Sequence, residues 1–258
     1  MRSGILLIGH GTRNDAGAAE CLRLAEILHA EQPDQPVEAC FLELRPPTIA
    51  DAWRRLVAAG VSRIQVAPLL LFAAGHAKRD VPEAVAACAA ETPQVAYDFS
   101  RPLSRHPRLI ELAVERIEAA LADLSAGPQA TALVTVGRGS YDPCAQADMR
   151  MLGALIGHRL PVARTETAFY AMAEPRLPEV LDRLAAQPAI EAVLVQPHLL
   201  FQGQVRDAVA RQVDEAAERH PRLAFRTLPH LGPDRRVAAA LRGRLGSFAS
   251  PAATAARI

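Results

Sequence analysis

The chain has 258 residues, half of them apolar, with 29 basic and 28 acidic residues. This length fits two domains of modest size, and the near balance of charge excludes a general electrostatic attraction to nucleic acid. No apolar run approaches the ~20 residues that a membrane span needs, and the N-terminal sequence breaks too early for a signal peptide. We therefore expect a cytoplasmic protein that binds neither nucleic acid nor membranes.

Apolar runs rich in Ile, Leu and Val alternate with longer amphipathic stretches, as in βαβ units whose parallel sheet is covered on both faces. In the first half, strands are predicted near 4–8, 37–43, 63–72 and 94–98, and helices near 16–31, 48–59 and 81–91. A long helix near 106–123 follows, and the stretch SAGP at 125–128 is typical of a domain boundary.

The second half repeats this alternation. Strands are predicted near 131–136, 162–170, 191–201 and 223–228, and helices near 144–158, 176–186, 205–219 and 233–245. Residues 247–258 have no periodicity and are predicted to form a disordered tail.

Local signals support the helices of the first half. Thr48 with Asp51 resembles a capping box ahead of the second helix, and Gly60 is placed to end it. Pro82 suits the first turn of the third helix.

The four cysteines are far apart and form no Cys-x-x-Cys pair: Cys21, Cys40, Cys88 and Cys144. This spacing excludes a recognisable zinc knuckle or cysteine-ligated cluster. We expect buried, reduced thiols.

Two stretches of the chain repeat each other. Residues 6–13 are LLIGHGTR and residues 133–140 are LVTVGRGS, so Gly9 matches Gly137 at an offset of 137 − 9 = 128. The match recurs downstream, where Pro68 lies opposite Pro197. The pattern indicates a two-copy duplication, and we predict domains at 1–125 and 126–246.

The two copies differ at their histidines. Arg138 replaces His10, and Gln204 replaces His76. A duplication that has lost the same residue type at two strand ends is predicted to keep one working site, in the first half.

Three residues that can handle protons or a metal follow three strands of the first half. His10 follows the first strand, Glu43 ends the second and His76 follows the third. Because the carboxyl ends of parallel strands share one edge, where open α/β sheets bind ligands, we predict that these residues form a catalytic group. Gly9 and Gly11 let the backbone approach a ligand closely.

Two imidazoles suit a transition metal such as cobalt, iron or nickel. A site with two histidines and one carboxylate is too sparse to be a closed structural site, so we expect His10 and His76 to bind a metal that passes through. Four other histidines are interpreted as structural: His29, His106, His158 and His220. His198, within a predicted strand, is interpreted as a core residue, and His230 stays open.

Basic residues flank the same edge and are candidates for binding ligand carboxylates or phosphates: Arg13, Arg45, Lys78 and Arg79. The alternative for each of them is an ordinary solvated rim.

Several motifs resemble a known family. GHGTR, FLELRPPTIADAW and PLLLFAAGHAKRDVPEAV are similar to the N-terminal half of the class II tetrapyrrole chelatases, specifically the two-domain sirohydrochlorin chelatases. VGRGSYDPCAQADMRML and VLVQPHLLFQGQVRDAV are similar to the C-terminal half of that family. The resemblance covers nearly the whole chain.

The resemblance implies an α/β chelatase fold: two duplicated three-layer halves, each with a mainly parallel four-stranded sheet, and a macrocycle in the cleft between them. It implies a lyase that inserts Co²⁺ or Fe²⁺, with Ni²⁺ as a further candidate, into sirohydrochlorin in cobalamin or sirohaem biosynthesis. His10 and His76 would be the metal-handling pair, and Glu43 would orient a histidine or accept a proton. Thr12, Arg138 and Gln204 join Gly9, Gly11 and the basic residues as candidate substrate-binding positions. No tightly bound cofactor is expected, and the duplication favours a monomer.

The sequence leaves two alternative functions. A metal or tetrapyrrole carrier on the same fold would bind without accelerating metallation. A histidine phosphotransferase is disfavoured because such sites place an arginine directly before the histidine, and here Gly9 precedes His10.

Overall fold

The computed structural model of the chain describes residues 2–72 and 79–245, and it contains two parallel four-stranded sheets. The first has the strand order β2-β1-β3-β4 and the second the order β6-β5-β7-β8. The strands are β1 (Ser3–Gly9), β2 (Val37–Phe41), β3 (Arg63–Pro68), β4 (Ala96–Phe99), β5 (Thr131–Gly137), β6 (Arg164–Phe169), β7 (Ala192–Pro197) and β8 (Ala224–Thr227). The predicted α/β class, with one parallel sheet in each half, is confirmed.

The helices alternate with these strands. They are α1 (Asp15–Glu31), α2 (Ile49–Ala58), α3 (Asp80–Glu91), α4 (Pro107–Ala122), α5 (Pro143–Gly157), α6 (Leu177–Ala185), α7 (Gln204–Arg219) and α8 (Arg235–Leu245). In the described residues, no helix combines the length and the apolar character that crossing a membrane requires.

Each sheet is covered on both faces, as the apolar runs of its strands require. In β1, Leu6 and Ile8 belong to a core with α2 and α3, while Ile5 and Leu7 point to the opposite face and are also fully buried. Burying one such side chain contributes about 1.5–3 kcal/mol. This core holds the strand ends, and the loops that follow them, in fixed positions.

Two compact units divide the chain differently from the predicted domains. The first unit combines the described residues up to Ser104 with those from Pro233 onward, and the second is Arg105–Gly232. Helix α4 therefore packs with α5 and β7, and α8 packs with α1 and β3. The predicted boundaries at 125 and 126–246 followed the repeat in the sequence, whereas the last helix of each repeat packs in the other unit.

Two predicted strands are too long. β3 ends at Pro68 instead of residue 72, and β7 ends at Pro197 instead of residue 201. Leu69 and Leu200 beyond these ends are buried. The apolar pattern continues there because the loops are partly buried, although the ladder of parallel strand pairs has ended.

The predicted signals around α2 are confirmed. Thr48 caps the helix, and its hydroxyl accepts a hydrogen bond from the Asp51 N–H at 3.2 Å while the Asp51 carboxylate accepts one from the Thr48 N–H at 3.0 Å. The hydrogen bond from the Thr48 backbone lowers the pKa of Asp51.

The cysteines differ in their burial. Cys21, Cys40 and Cys88 are buried free thiols, as predicted, and burial raises the pKa of Cys21 to about 12. Cys144 is exposed, so the prediction is wrong there. It lies in the first turn of α5, where the helix begins at the surface.

Candidate functional site

The first sheet has a topological switch point beside β1. The chain leaves β1 toward β2 on one side and leaves β3 toward β4 on the other. Ligands of open α/β sheets bind outside the carboxyl ends of the strands at such a point. His10 follows β1 directly and therefore lies at this position.

His10 and Glu43 come together as predicted. The His10 Nδ1 lies 3.5 Å from Oε1 of Glu43. The backbones join as well, since the Glu43 N–H donates to the His10 carbonyl at 3.2 Å. The two side chains are 37% and 50% exposed, so a ligand can reach both of them. An imidazole beside a carboxylate can take up a proton, or bind a cation with the carboxylate as support.

Gly11 brings the two loops into this contact. Its φ is +107°, and a Cβ atom added to it would lie 2.0 Å from the Glu43 carbonyl oxygen. A side chain here would therefore separate the loop of His10 from the loop of Glu43. At Gly9, an added Cβ would lie 3.1 Å from Cys21 Sγ, so this glycine allows α1 to pack against the strand end.

The loop between β1 and α1 is fixed by its own polar side chains. The Thr12 hydroxyl accepts a hydrogen bond from the Asn14 N–H at 3.0 Å. The Asn14 side chain in turn accepts one from the Gly17 N–H at 2.9 Å and caps α1. Arg13, between them, is exposed.

Arg45 is fastened to the same loop. Its guanidinium donates to the carbonyls of Thr12 at 3.2 Å and Asn14 at 3.4 Å, and it pairs with Asp15 at 3.0 Å. It also lies over the Phe41 ring, 5.7 Å from the centroid. These contacts favour a positioning role over the predicted substrate-binding role, because three hydrogen bonds of the guanidinium go to the protein itself.

The loop after β3 is described only from Arg79 onward. Arg79 is exposed and pairs with Glu83 at 3.0 Å, one turn along α3. His76 and Lys78 lie outside the described residues. Their predicted catalytic and substrate-binding roles stay predictions.

The second unit repeats the backbone of the site without its functional groups. Gly139, with φ +93°, stands where Gly11 does, and an added Cβ would lie 1.7 Å from the Ala171 carbonyl oxygen. Arg138 replaces His10 and is exposed, and Ala171 replaces Glu43. Gln204, the counterpart of His76, is exposed at the start of α7. Both members of the histidine–carboxylate pair are therefore absent from this copy.

In the second copy an arginine also lies over the equivalent phenylalanine, but it comes from a different element. Arg150 of α5 lies over the Phe169 ring at 5.2 Å, and it donates to the Glu174 carbonyl at 2.9 Å. In the first copy, Arg45 belongs to the loop after β2 and joins it to the loop between β1 and α1. Both copies therefore have an arginine over the equivalent phenylalanine, but the arginine comes from a different element in each copy.

Three of the remaining histidines have structural surroundings. His106 caps α4 by accepting from the Arg108 N–H, and His220 lies 2.8 Å from the Asp182 carboxylate. His198 is buried, as predicted, although it follows β7 and is not within it, and burial lowers its pKa to about 3. Among residues 2–72 and 79–245, no group of three or more His, Cys, Asp or Glu could hold a metal ion. The described part of the candidate site is therefore the pair His10 and Glu43.

Relatives named as sirohydrochlorin chelatases match most of the chain. A sirohydrochlorin ferrochelatase of Priestia megaterium is 32% identical over 82% of this chain and 78% of the relative. A sirohydrochlorin ferrochelatase of Bacillus subtilis is 29% identical over 86% and 83%. A sirohydrochlorin cobaltochelatase of Priestia megaterium is 26% identical over 88% and 74%.

Solved structures have the same fold. SirB from Bacillus subtilis with Fe³⁺ matches 99% of this chain and 96% of its own, with a TM-score of 0.84 and 28% identity. The sirohydrochlorin chelatase SirB from Bacillus subtilis subspecies spizizenii in complex with cobalt matches 95% and 94%, with a TM-score of 0.79 and 26% identity. The CbiX family model matches twice, at residues 4–120 and 132–247, in agreement with the duplication. The chain belongs to the CbiX family.

Proposed function

We propose that this protein is a sirohydrochlorin chelatase, a lyase that inserts Co²⁺ or Fe²⁺ into sirohydrochlorin. The observation that carries the proposal is the pair of His10 and Glu43, 3.5 Å apart at the carboxyl edge of β1 and β2. The relatives named for this activity cover most of the chain. The metal ion is a substrate of this reaction and not a resident cofactor.

Metal insertion leaves the net charge of the macrocycle unchanged. The free macrocycle gives up two pyrrole N–H protons and takes in one divalent cation, so the site needs a group that binds the cation and groups that accept protons. A neutral imidazole can do either near pH 7. In both roles the Glu43 carboxylate stabilises the positive charge that arrives beside His10, whether that charge is a proton or a metal ion.

His76 is proposed as the second metal-handling histidine. It follows β3 in the sequence, and β3 is the other strand at the switch point, so we expect it at the same edge as His10. With two imidazoles, one can hold the cation while the other takes a proton. Imidazole ligands accept iron, cobalt and nickel without sharp preference, which fits relatives named for either iron or cobalt.

The basic residues are proposed to meet the carboxylates of the macrocycle. Arg138 is exposed and takes the place of His10 in the second copy. A guanidinium stays protonated, so it repels a divalent cation and attracts carboxylates. Arg13, exposed after β1, has the same chemistry in the first copy.

The test is metal insertion by the purified full-length chain. Sirohydrochlorin is mixed with Co²⁺, or anaerobically with Fe²⁺, and the absorbance of the free macrocycle is followed as the metallated band rises. We expect a rate above that of the metal ion alone with at least one ion, and loss of most of that rate in His10→Ala and in His76→Ala. Rates equal to the metal-only control with both ions would sink the proposal and favour a carrier.

A further inference from the structure

Leu44, between Glu43 and Arg45, has an unusual backbone conformation. Its φ is +71°, in the left-handed region. This conformation costs free energy for every residue that has a Cβ atom, and glycine avoids that cost. The turn after Glu43 therefore favours glycine, asparagine or aspartate, and the chain has leucine there.

The second copy has the same backbone conformation at the equivalent position. Met172 lies 172 − 44 = 128 residues further on, and its φ is +59°. The surrounding turns match, since the Glu43 N–H donates to the His10 carbonyl and the Ala171 N–H to the Arg138 carbonyl. In each unit, an apolar residue that is not branched at Cβ therefore adopts this unfavourable backbone conformation.

The side chain of Leu44 does not stabilise the core. It is 54% exposed, which is unusual for a leucine of this protein. A residue that costs free energy through its backbone, and recovers little through burial, is expected where function needs its side chain. It directly follows Glu43, whose carboxylate lies 3.5 Å from His10.

Neighbouring contacts hold the turn in place. On one side, Gly11 packs against the Glu43 carbonyl. On the other, Arg45 donates to the carbonyls of Thr12 and Asn14. The turn of Leu44 is thus fixed on both sides to the loop of His10, which holds its backbone in place next to Glu43, the partner of His10.

We infer that Leu44 is a substrate-contact residue, whose side chain packs against the apolar face of the tetrapyrrole during metal insertion. The inference rests on the proposed function. A tetrapyrrole combines a broad apolar ring face with carboxylates at its rim, and binding sites for such ligands pair apolar walls with a few charged groups. The arginines suit the rim, and Leu44 supplies an apolar contact for the face next to His10.

The test compares two substitutions that both tolerate the turn. Leu44→Asn is close to leucine in shape and accepts a positive φ, but its side chain is polar. Leu44→Met keeps an apolar side chain, as Met172 does. We expect Leu44→Asn to raise KM for sirohydrochlorin about tenfold with little change in kcat, because half of a leucine side chain is removed from water on binding. Leu44→Met should keep the KM of the parent protein.

Two further measurements separate the alternatives. Leu22→Asn changes another exposed leucine, on α1, and should leave KM unchanged. Melting temperature should stay the same or rise in Leu44→Asn. A KM within twofold of the parent, or a raised KM accompanied by a clear fall in melting temperature, would overturn the inference while leaving the chelatase proposal intact. Absence of metal insertion in the parent protein itself would remove the proposed function, and the inference with it.

Discussion

The Nδ1 atom of His10 lies 3.5 Å from Oε1 of Glu43, and each residue follows a different strand. The contact exists because β1 and β2 are adjacent and parallel, with Gly9 paired with Phe41 at their carboxyl ends. A residue one or two positions beyond each strand end must then come close to its counterpart. The pair is therefore a consequence of strand register, and its chemistry can be changed without changing the fold.

Glu43→Gln keeps the size of the side chain and removes its charge. We expect kcat for metal insertion to fall about tenfold to a hundredfold, because the charge that develops on His10 loses its partner. Stability should change by no more than about 0.5 kcal/mol, since the side chain is half exposed. The matched control is Glu26→Gln, an exposed carboxylate on α1 that pairs with Arg23. Equal losses of activity in the two variants would contradict a special role for Glu43.

The sequence was sufficient to predict this pair. Apolar runs alternating with amphipathic stretches predicted parallel strands, and parallel strands bring residues that follow them to one edge. The offset of 128 between Gly9 and Gly137 predicted two copies of one unit, and the asymmetry at His10 and Arg138 favours a working site in the first copy. Each of these inferences depends on periodicity or spacing, which a single sequence contains.

Other features of the site could not be predicted in this way. The contacts of Arg45 with the carbonyls of Thr12 and Asn14 span about thirty residues and have no local pattern. The positive φ of Leu44 was missed because glycine and asparagine are the usual signals for that region; the signal that could have found it is the repetition of an apolar residue at Met172. The exchange of α4 and α8 between units was missed because an apolar helix face fits either sheet.

Substitution of Arg45 distinguishes a positioning role from a role in substrate binding. Arg45→Ala should lower kcat several-fold and change KM less, because the loop of His10 loses one of its links to the loop of Glu43. It should also cost about 1–2 kcal/mol of stability, through the lost hydrogen bonds to backbone carbonyls. Arg45→Lys should not restore kcat, since an ammonium cannot reproduce the forked donor geometry. A large rise in KM with unchanged kcat and stability would instead favour direct binding of a substrate carboxylate.

Gly11 and Gly60 offer a matched comparison of close packing and backbone conformation. Both have positive φ, but a Cβ at Gly11 would lie 2.0 Å from the Glu43 carbonyl oxygen, whereas nothing lies within 4 Å of a Cβ at Gly60. Gly60→Ala should lower the free energy of unfolding by about 1 kcal/mol, because only the positive φ disfavours alanine there. Gly11→Ala should cost more and should also remove most activity, because the His10 and Glu43 loops must separate. Equal losses of stability, measured by urea denaturation, would mean that the contact at Gly11 relaxes without consequence.

His198 should make the stability of the protein fall in mild acid. It is 1% exposed, and burial lowers its pKa from the ordinary 6.5 to about 3. Between these two values the unfolded chain binds a proton that the folded chain does not, so the free energy of unfolding decreases as the pH falls, by up to about 1.4 kcal/mol per pH unit. Above pH 6.5 both states are neutral at this residue and the effect disappears.

In the first copy the corresponding position after Pro68 is Leu69, which is also buried, so His198→Leu is the natural substitution. From pH 7 to pH 5 the parent protein should lose about 2 kcal/mol more than the variant, measured by urea denaturation at each pH. Parallel pH dependences in the two proteins would mean that His198 becomes protonated in the folded state at no cost.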